Sequence, residues 1–187
     1  MYYGLVYFPA IDTRPINQIR RTYDPTVDLI APHLTIMFPV PDEIGLIVLI
    51  QHIERVIKPR IVFPIQLKGL VKSWDHWLFL TLAAGNTEII ALNKALYTSI
   101  LEPYHRPDLE FIPHISLGLF VKETGYDHKN PQQLTFDEPS YRAALRETEA
   151  LNLDFTCTLD KLHLVALTDD FSNITTVREF PLGISGE

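Results

Sequence analysis

Runs of apolar, β-branched and aromatic residues, some of them alternating with polar positions, predict short strands along the chain. Between them, apolar residues recur at helical spacing, and residues 122–137 are polar and carry Gly, Asn and Pro, which is typical of a loop. Strands and helices mix without regular alternation, so the pattern favours an α+β fold. The predicted strands cover 2–8, 33–38, 61–71, 77–83, 113–121, 153–167 and 174–181, and the predicted helices cover 13–23, 43–57, 87–101 and 139–151.

One short phrase occurs twice. Pro32–Ile36 and Pro113–Leu117 both read Pro-His-apolar-hydroxyl-apolar. Within a strand, the histidine and the hydroxyl residue share one face and the apolar residues face the core. Two imidazoles and two hydroxyls supply the proton-transfer groups and hydrogen-bond donors that a phosphate ester requires. The plainer alternative is that both histidines are ordinary strand residues.

The two halves of the sequence correspond to each other. Each motif strand is followed by a predicted helix and then by predicted strands, and His33 and His114 hold equivalent positions. This order resembles a duplication whose copies face each other across a groove. We therefore expect residues 1–187 to form a single domain of two similar lobes, each contributing one motif.

Composition narrows the classes of partner. The net charge is −7, with 16 basic and 23 acidic residues, which disfavours binding to long duplex nucleic acid and leaves a small nucleotide or an RNA end. No apolar run is long enough to span a membrane, and the first residues resemble a strand rather than a signal peptide. The single cysteine, Cys157, excludes an internal disulfide. A cytoplasmic monomer is expected.

A metal site is the competing interpretation of two histidines. Zinc requires three or four ligands, and the sequence holds neither a His-x-x-x-His pair nor a pair of cysteines. A third ligand would have to come from scattered residues such as His76, His105 or His163. We therefore expect no metal and no cofactor.

Three aromatic residues are candidates for substrate contacts. Tyr23 follows a basic pair and could reach phosphate or ribose, although it could equally belong to a turn that ends a helix. Tyr7 could face the cleft or the core. Trp74 lies between two predicted strands and could stack on a base, whereas Trp77 is better explained as a core residue.

These motifs resemble the signature of the 2H phosphoesterase superfamily, which includes the 2′-5′ RNA ligases and cyclic nucleotide phosphodiesterases. Its mark is a pair of His-x-Thr/Ser-apolar tetrapeptides, here His33–Ile36 and His114–Leu117. Further stretches are similar to its bacterial YjcG-like branch, namely Tyr3–Val6, Tyr23–Pro25, Leu29–Pro32 and Phe111–Pro113. The closing stretch Glu179–Leu182 fits a strand that often ends these proteins.

The resemblance implies two lobes related by a pseudo-two-fold axis, each with an antiparallel sheet flanked by helices, and a central cleft lined by the motifs. It also implies metal-independent hydrolysis of a 2′,3′-cyclic phosphate or a 2′-5′ phosphodiester. His33 and His114 would act as general acid and base, in an order that the sequence leaves open. The hydroxyls of Thr35 and Ser116 would hold the non-bridging oxygens.

Other functions stay open at this point. The same groups could catalyse reversible 2′-5′ RNA ligation, because the reverse reaction uses the same acid and base. The pocket could also bind a nucleotide without turnover, although two intact motifs argue against this. An interaction domain with an incidental cleft is the least specific alternative.

Overall fold

The computed structural model describes residues 1–123 and 134–184. Among them, no helix is long and apolar enough to cross a membrane. The strands are β1 (Tyr2–Tyr7), β2 (Leu34–Pro41), β3 (Phe63–Lys72), β4 (Trp77–Ala84), β5 (His114–Leu119), β6 (Asp154–Leu159), β7 (Lys161–Leu167) and β8 (Ile174–Pro181). The α-helices are α1 (Arg14–Tyr23), α2 (Leu46–Ile57), α3 (Asn86–Leu96) and α4 (Glu138–Leu151).

The strands form two antiparallel sheets of four strands. Sheet 1 has the order β2-β1-β7-β8, and sheet 2 has the order β5-β4-β3-β6. The expected α+β class with two antiparallel sheets is therefore confirmed. In both sheets the motif strand, β2 or β5, is an edge strand, and its inner neighbour is the strand that precedes it in the chain. The sheets do not follow the two halves of the sequence, because sheet 1 takes strands from both ends.

The stretch predicted as one strand over 153–167 is two strands. β6 pairs with β3 in sheet 2, whereas β7 pairs with β1 and β8 in sheet 1, and only Asp160 separates them. The backbone is extended on both sides of Asp160, so the prediction was right locally. It was wrong about the partner, because the chain changes sheets there.

Two stretches that were predicted as single helices each contain a 3-10 helix and an α-helix. In place of one helix over 43–57, Gly45 adopts a φ of 79° and separates a short 3-10 helix from α2. The helix predicted over 87–101 stops at Leu96, and a 3-10 helix, Ser99–Tyr104, follows. Most of the predicted loop 122–137, residues 124–133, lies outside the described residues.

Helix α1 packs against β5, an edge strand of sheet 2, although this helix connects two strands of sheet 1. The contact is close at Gly118 of β5. A Cβ atom added there would lie 2.5 Å from the Cβ of Tyr23 and 3.1 Å from its carbonyl oxygen. Only glycine lets the end of α1 approach the motif strand this closely.

Helix α3 makes the reciprocal contact with the edge of sheet 1. The Asn93 side-chain amide donates to the carbonyl oxygen of Ile36 at 2.8 Å, and the Tyr97 hydroxyl accepts from the backbone N–H of Phe38 at 2.9 Å. Both partners are in β2. These bonds satisfy polar groups that an edge strand would otherwise leave unpaired.

Most buried apolar side chains form one continuous core, to which both sheets and all four helices contribute. A second, smaller cluster lies on the opposite face of sheet 1, where Val6, Val165 and Leu167 are buried. Because directly paired residues of antiparallel strands share a face, Val6 and its partner Thr35 both lie on this second face. The second cluster is therefore next to the first motif.

Candidate active site

The two motifs present their histidines and hydroxyls as the sequence predicted. His33 immediately precedes β2 and His114 opens β5. The apolar motif residues are buried, whereas both histidines and both hydroxyl residues are partly exposed. The motif strands also contact each other where the two sheets meet. One local pattern, used twice, thus brings two His-hydroxyl pairs to one place.

A cavity of about 840 Å³ lies along this junction. His33, Thr35 and Ser116 line it, together with residues of the loop that leads to the first motif, whereas His114 packs beside it and is not among the lining residues. Its walls are mainly apolar, with a few polar groups among them. Such a cavity is the usual form of a small-molecule site.

Both imidazoles are held by the backbone in the same way. The Nδ1–H of His33 donates to the carbonyl oxygen of Ala31 at 2.9 Å, and that of His114 donates to the carbonyl oxygen of Ile112 at 2.6 Å. A carbonyl oxygen can only accept, so Nδ1 carries the hydrogen in both rings. In the neutral rings, Nε2 therefore holds the free lone pair and is the atom available for proton transfer.

The surroundings favour the neutral form of both rings. Burial lowers the pKa of His33, and it lowers the pKa of His114 to about 4. Positive charge on His33 lowers the pKa of His114 further, while the carbonyl bonds oppose the shifts. Without a bound anion, both imidazoles are consequently uncharged at neutral pH.

His114 packs flat against Phe79 of the neighbouring strand. The two ring centroids are 3.4 Å apart, with an angle of 20° between the ring planes. Phe79 pairs with Ser116 in the β4–β5 register, so it belongs to the same face as the second motif. Sequence reasoning missed Phe79, because strand register cannot be deduced from one sequence.

A buried ion pair supports the approach to the first motif. The Nε–H of Arg20 donates to the Asp24 carboxylate at 2.6 Å, and an Arg20 Nη2–H donates to the carbonyl oxygen of Ile30 at 2.9 Å. The same carboxylate accepts from the backbone N–H and the hydroxyl of Thr26. The pair thereby fixes both ends of the loop that leads to His33.

The model of the 2′-5′ RNA ligase superfamily matches residues 7–170, a span that contains both motifs. The chain belongs to this superfamily.

Relatives in this superfamily match over nearly the whole chain. A protein of Bacillus licheniformis, provisionally named a phosphoesterase, is 28% identical over 189 residues, with 98% of this chain and 99% of the relative covered. A protein of Bacillus pumilus with the same provisional name is also 28% identical, with both chains covered completely.

Solved structures share the fold. LigT of Escherichia coli in its apo form gives a TM-score of 0.59 at 17% identity, with 97% of this chain and 96% of LigT covered. A protein of Thermus thermophilus gives a TM-score of 0.62 at 14% identity over the full length of both chains. At these identities the comparison supports the two-lobed architecture of the superfamily.

Among the aromatic residues predicted to contact the substrate of this superfamily member, the prediction for Tyr7 is wrong. Its ring lies on the core face of β1, with 1% of its surface exposed, and its hydroxyl donates to the carbonyl oxygen of Thr158 at 2.9 Å. Tyr7 is thus a core residue. Tyr23 ends α1, and its hydroxyl donates to the Glu147 carboxylate at 3.0 Å, which ties α1 to α4 outside the residues that line the cavity.

The two tryptophans occupy different positions. Trp74 is 58% exposed and does not line the cavity, so its stacking on a base stays a prediction. Trp77 is largely buried, as expected, but it also lines the cavity. In the described ranges 1–123 and 134–184, no group of three or more His, Cys, Asp or Glu side chains is arranged to hold a metal ion.

Proposed function

We propose that this protein is a metal-independent phosphoesterase that opens a 2′,3′-cyclic phosphate, or cleaves a 2′-5′ phosphodiester, of a nucleotide or an RNA end. One observation carries the proposal. His33 and His114 are both held through Nδ1 by a backbone carbonyl, and His33, Thr35 and Ser116 line one cavity. This arrangement supplies two proton-transfer atoms and two donors for phosphate oxygens.

The reaction needs one imidazole in each protonation state. The neutral imidazole takes a proton from water while the water oxygen bonds to phosphorus. The bond from phosphorus to one ribose oxygen breaks, and the protonated imidazole gives its proton to that oxygen. The product is a phosphate monoester, and the two histidines exchange roles if the other ribose oxygen leaves.

Binding of the substrate phosphate favours the protonated imidazole that the reaction requires as its acid. Both imidazoles are neutral without ligand because burial lowers their pKa values. The negative charge of a phosphate held between them favours the charged form of an imidazole and raises its pKa. Substrate binding is therefore coupled to the uptake of a proton.

The fold neighbours are consistent with a nucleotide substrate. Solved structures of LigT include complexes with 3′-AMP and with phosphate. A nucleoside phosphate in the cavity of the present protein would place its phosphate near the two motifs and its sugar and base along the apolar walls. A small nucleotide or an RNA end also suits a net charge of −7 better than a long duplex.

Phosphorus NMR with the four nucleoside 2′,3′-cyclic monophosphates, in EDTA, tests the proposal. The wild-type protein should open at least one of them, and His33→Ala and His114→Ala should each be slower by about 100-fold or more. His105→Ala is the control, because this histidine is exposed and lies outside both motifs. Full activity in either motif variant would remove that histidine from the mechanism. No opening of any substrate would reject cyclic mononucleotides, and loss in EDTA that zinc restores would reject the metal-free mechanism.

A further inference from the structure

The cavity extends well beyond the two motifs, along the second face of sheet 1. Its floor continues from Val6, the partner of Thr35, through Gly4 and Val165 to Tyr2. A strand rises about 3.3 Å per residue, so Tyr2 lies about 13 Å along β1 from Val6. Catalysis on the phosphate alone does not require this length.

An aromatic pair ends this floor. The rings of Tyr2 and Phe171 stack with centroids 5.3 Å apart, and both residues line the cavity. Phe171 has a φ of 55°, a left-handed conformation that is costly for a bulky residue. Hydrogen bonds from Thr168 and Ser172 to the Asp170 carboxylate hold the turn that contains it. Strained backbone of this kind is concentrated at ligand-binding positions.

The distance identifies which part of a nucleotide could reach the pair. In a 2′,3′-cyclic phosphate, the base is attached to C1′, directly next to the carbon that bears one of the ester oxygens. The base of the reacting nucleotide must therefore stay near the motifs. The next nucleotide, joined through the 5′ oxygen, is the first group that can extend to Tyr2 and Phe171.

The charges at the far end favour a base over a phosphate there. Asp169 and Asp170 line this end of the cavity, and Asp169 forms an ion pair with the amino terminus. The remaining charge is negative, which repels a phosphate. Carboxylates accept hydrogen bonds from the amino groups of adenine, cytosine or guanine, and the aromatic rings offer apolar surface to a base.

We infer that Tyr2 and Phe171 form a binding site for the base of the nucleotide that precedes the reacting one, so that the preferred substrate is an RNA end of two or more nucleotides. This inference rests on the proposed function and deepens it. In this inference, the second face of sheet 1 recognises the additional nucleotide of a longer substrate, whereas the motifs carry out the reaction.

The test compares a cyclic mononucleotide, adenosine 2′,3′-cyclic phosphate, with the dinucleotide ApA carrying the same cyclic end. Phe171→Asn removes the ring, while asparagine tolerates the left-handed backbone. Tyr2→Leu is the second variant, and Phe171→Tyr keeps the ring. Ile47→Asn is the matched control, since this residue on α2 is 72% exposed and does not line the cavity.

We expect wild-type kcat/KM to be higher for the dinucleotide, with a loss of about tenfold on this substrate in Phe171→Asn and Tyr2→Leu. Hydrolysis of the mononucleotide should stay within about twofold of wild type in both variants, and Phe171→Tyr and Ile47→Asn should retain the wild-type ratio. Equal wild-type kcat/KM for the two substrates, or equal losses on both in the variants, would overturn the inference and leave the proposed function intact. No hydrolysis of either substrate by the wild-type protein would reject the inference together with the cyclic-phosphate form of the proposed function.

Discussion

The Arg20 guanidinium and the Asp24 carboxylate form an ion pair inside the protein, one helical turn apart, beside the cavity. Their side chains are 2% and 0% exposed. Because both also hydrogen bond to the loop before the first motif, they determine where Ala31 presents its carbonyl oxygen to His33. Their charges also act on His33 in opposite directions, since Arg20 lowers its pKa and Asp24 raises it.

Asp24→Asn should therefore affect both stability and His33. The amide keeps the shape of the carboxylate but leaves the buried Arg20 charge unpaired, so the free energy of unfolding should fall by about 3 kcal/mol. The pKa of His33 should fall further. Urea denaturation and an NMR titration of the His33 ring measure the two effects. Asp12→Asn, which breaks an exposed pair with Arg14, is the control and should change neither. An unchanged His33 pKa in Asp24→Asn would contradict an electrostatic contribution from the pair.

The pH dependence of kcat/KM should have its maximum on the acidic side of 6.5, the ordinary pKa of a histidine. The base must be neutral, which sets the fall at low pH, and the acid must be protonated, which sets the fall at high pH. Both histidines have a lowered pKa in the free protein, that of His114 to about 4, so both limits move to lower pH. The profile of kcat should lie at higher pH, because the bound phosphate raises the pKa of the acid.

Calorimetry provides an independent measurement of the coupling between phosphate binding and proton uptake. Titration of the protein with inorganic phosphate near pH 6, in two buffers with different heats of ionisation, reports the number of protons taken up. We expect net uptake in the wild-type protein and less in His114→Ala. A kcat/KM maximum above pH 6.5, together with no proton uptake, would show that the imidazoles are not neutral in the free protein.

The two motif hydroxyls should affect catalysis more than stability. Thr35→Val and Ser116→Ala remove a donor to the phosphate while nearly preserving side-chain volume, so each should slow turnover by about tenfold or more. The free energy of unfolding should change by less than about 1 kcal/mol. Steady-state kinetics and urea denaturation measure these quantities, with exposed Thr175→Val as the control. Wild-type kinetics in both variants would remove the hydroxyls from the mechanism.

Gly118→Ala should weaken the contact between α1 and β5. The added methyl group would overlap Tyr23, whose Cβ and carbonyl oxygen cannot rotate away, so we expect a loss of about 1–3 kcal/mol in the free energy of unfolding. Activity should fall as well, since α1 carries Arg20. Gly183→Ala, where the nearest neighbour is the Arg60 carbonyl oxygen at 3.3 Å, should cost less. Equal stability of Gly118→Ala and wild type would show that α1 has room to move.

The local part of the site could be predicted from the sequence. The period of two in a strand was enough to assign His33 and Thr35 to one face and their apolar neighbours to the core. The duplicated phrase also indicated that the motifs act together. What the sequence did not contain was the pairing of strands, which decides that Phe79 stacks on His114 and that the chain changes sheets at Asp160.

Burial was the other quantity that the sequence left open. Tyr7 alternates with Val6, and a single strand does not reveal which of its faces meets the main core. Arg20 and Asp24 have the spacing of an ordinary surface pair on a helix, four residues apart. Their burial follows from the return of residues 24–32 over the end of α1, a tertiary feature without a local signal.

The composition of sheet 1 has a consequence for how the protein is made. Sheet 2 comes from the continuous segment 63–159, whereas sheet 1 joins the first 41 residues to strands that begin at Lys161. A chain synthesised from its amino terminus can complete sheet 2 before β7, the inner neighbour of β1 in sheet 1, has been synthesised. The first histidine therefore reaches its final surroundings only after nearly the whole chain has been translated. A chain that stops before Lys161 would carry both motifs but lack the strands that complete sheet 1 beside β1.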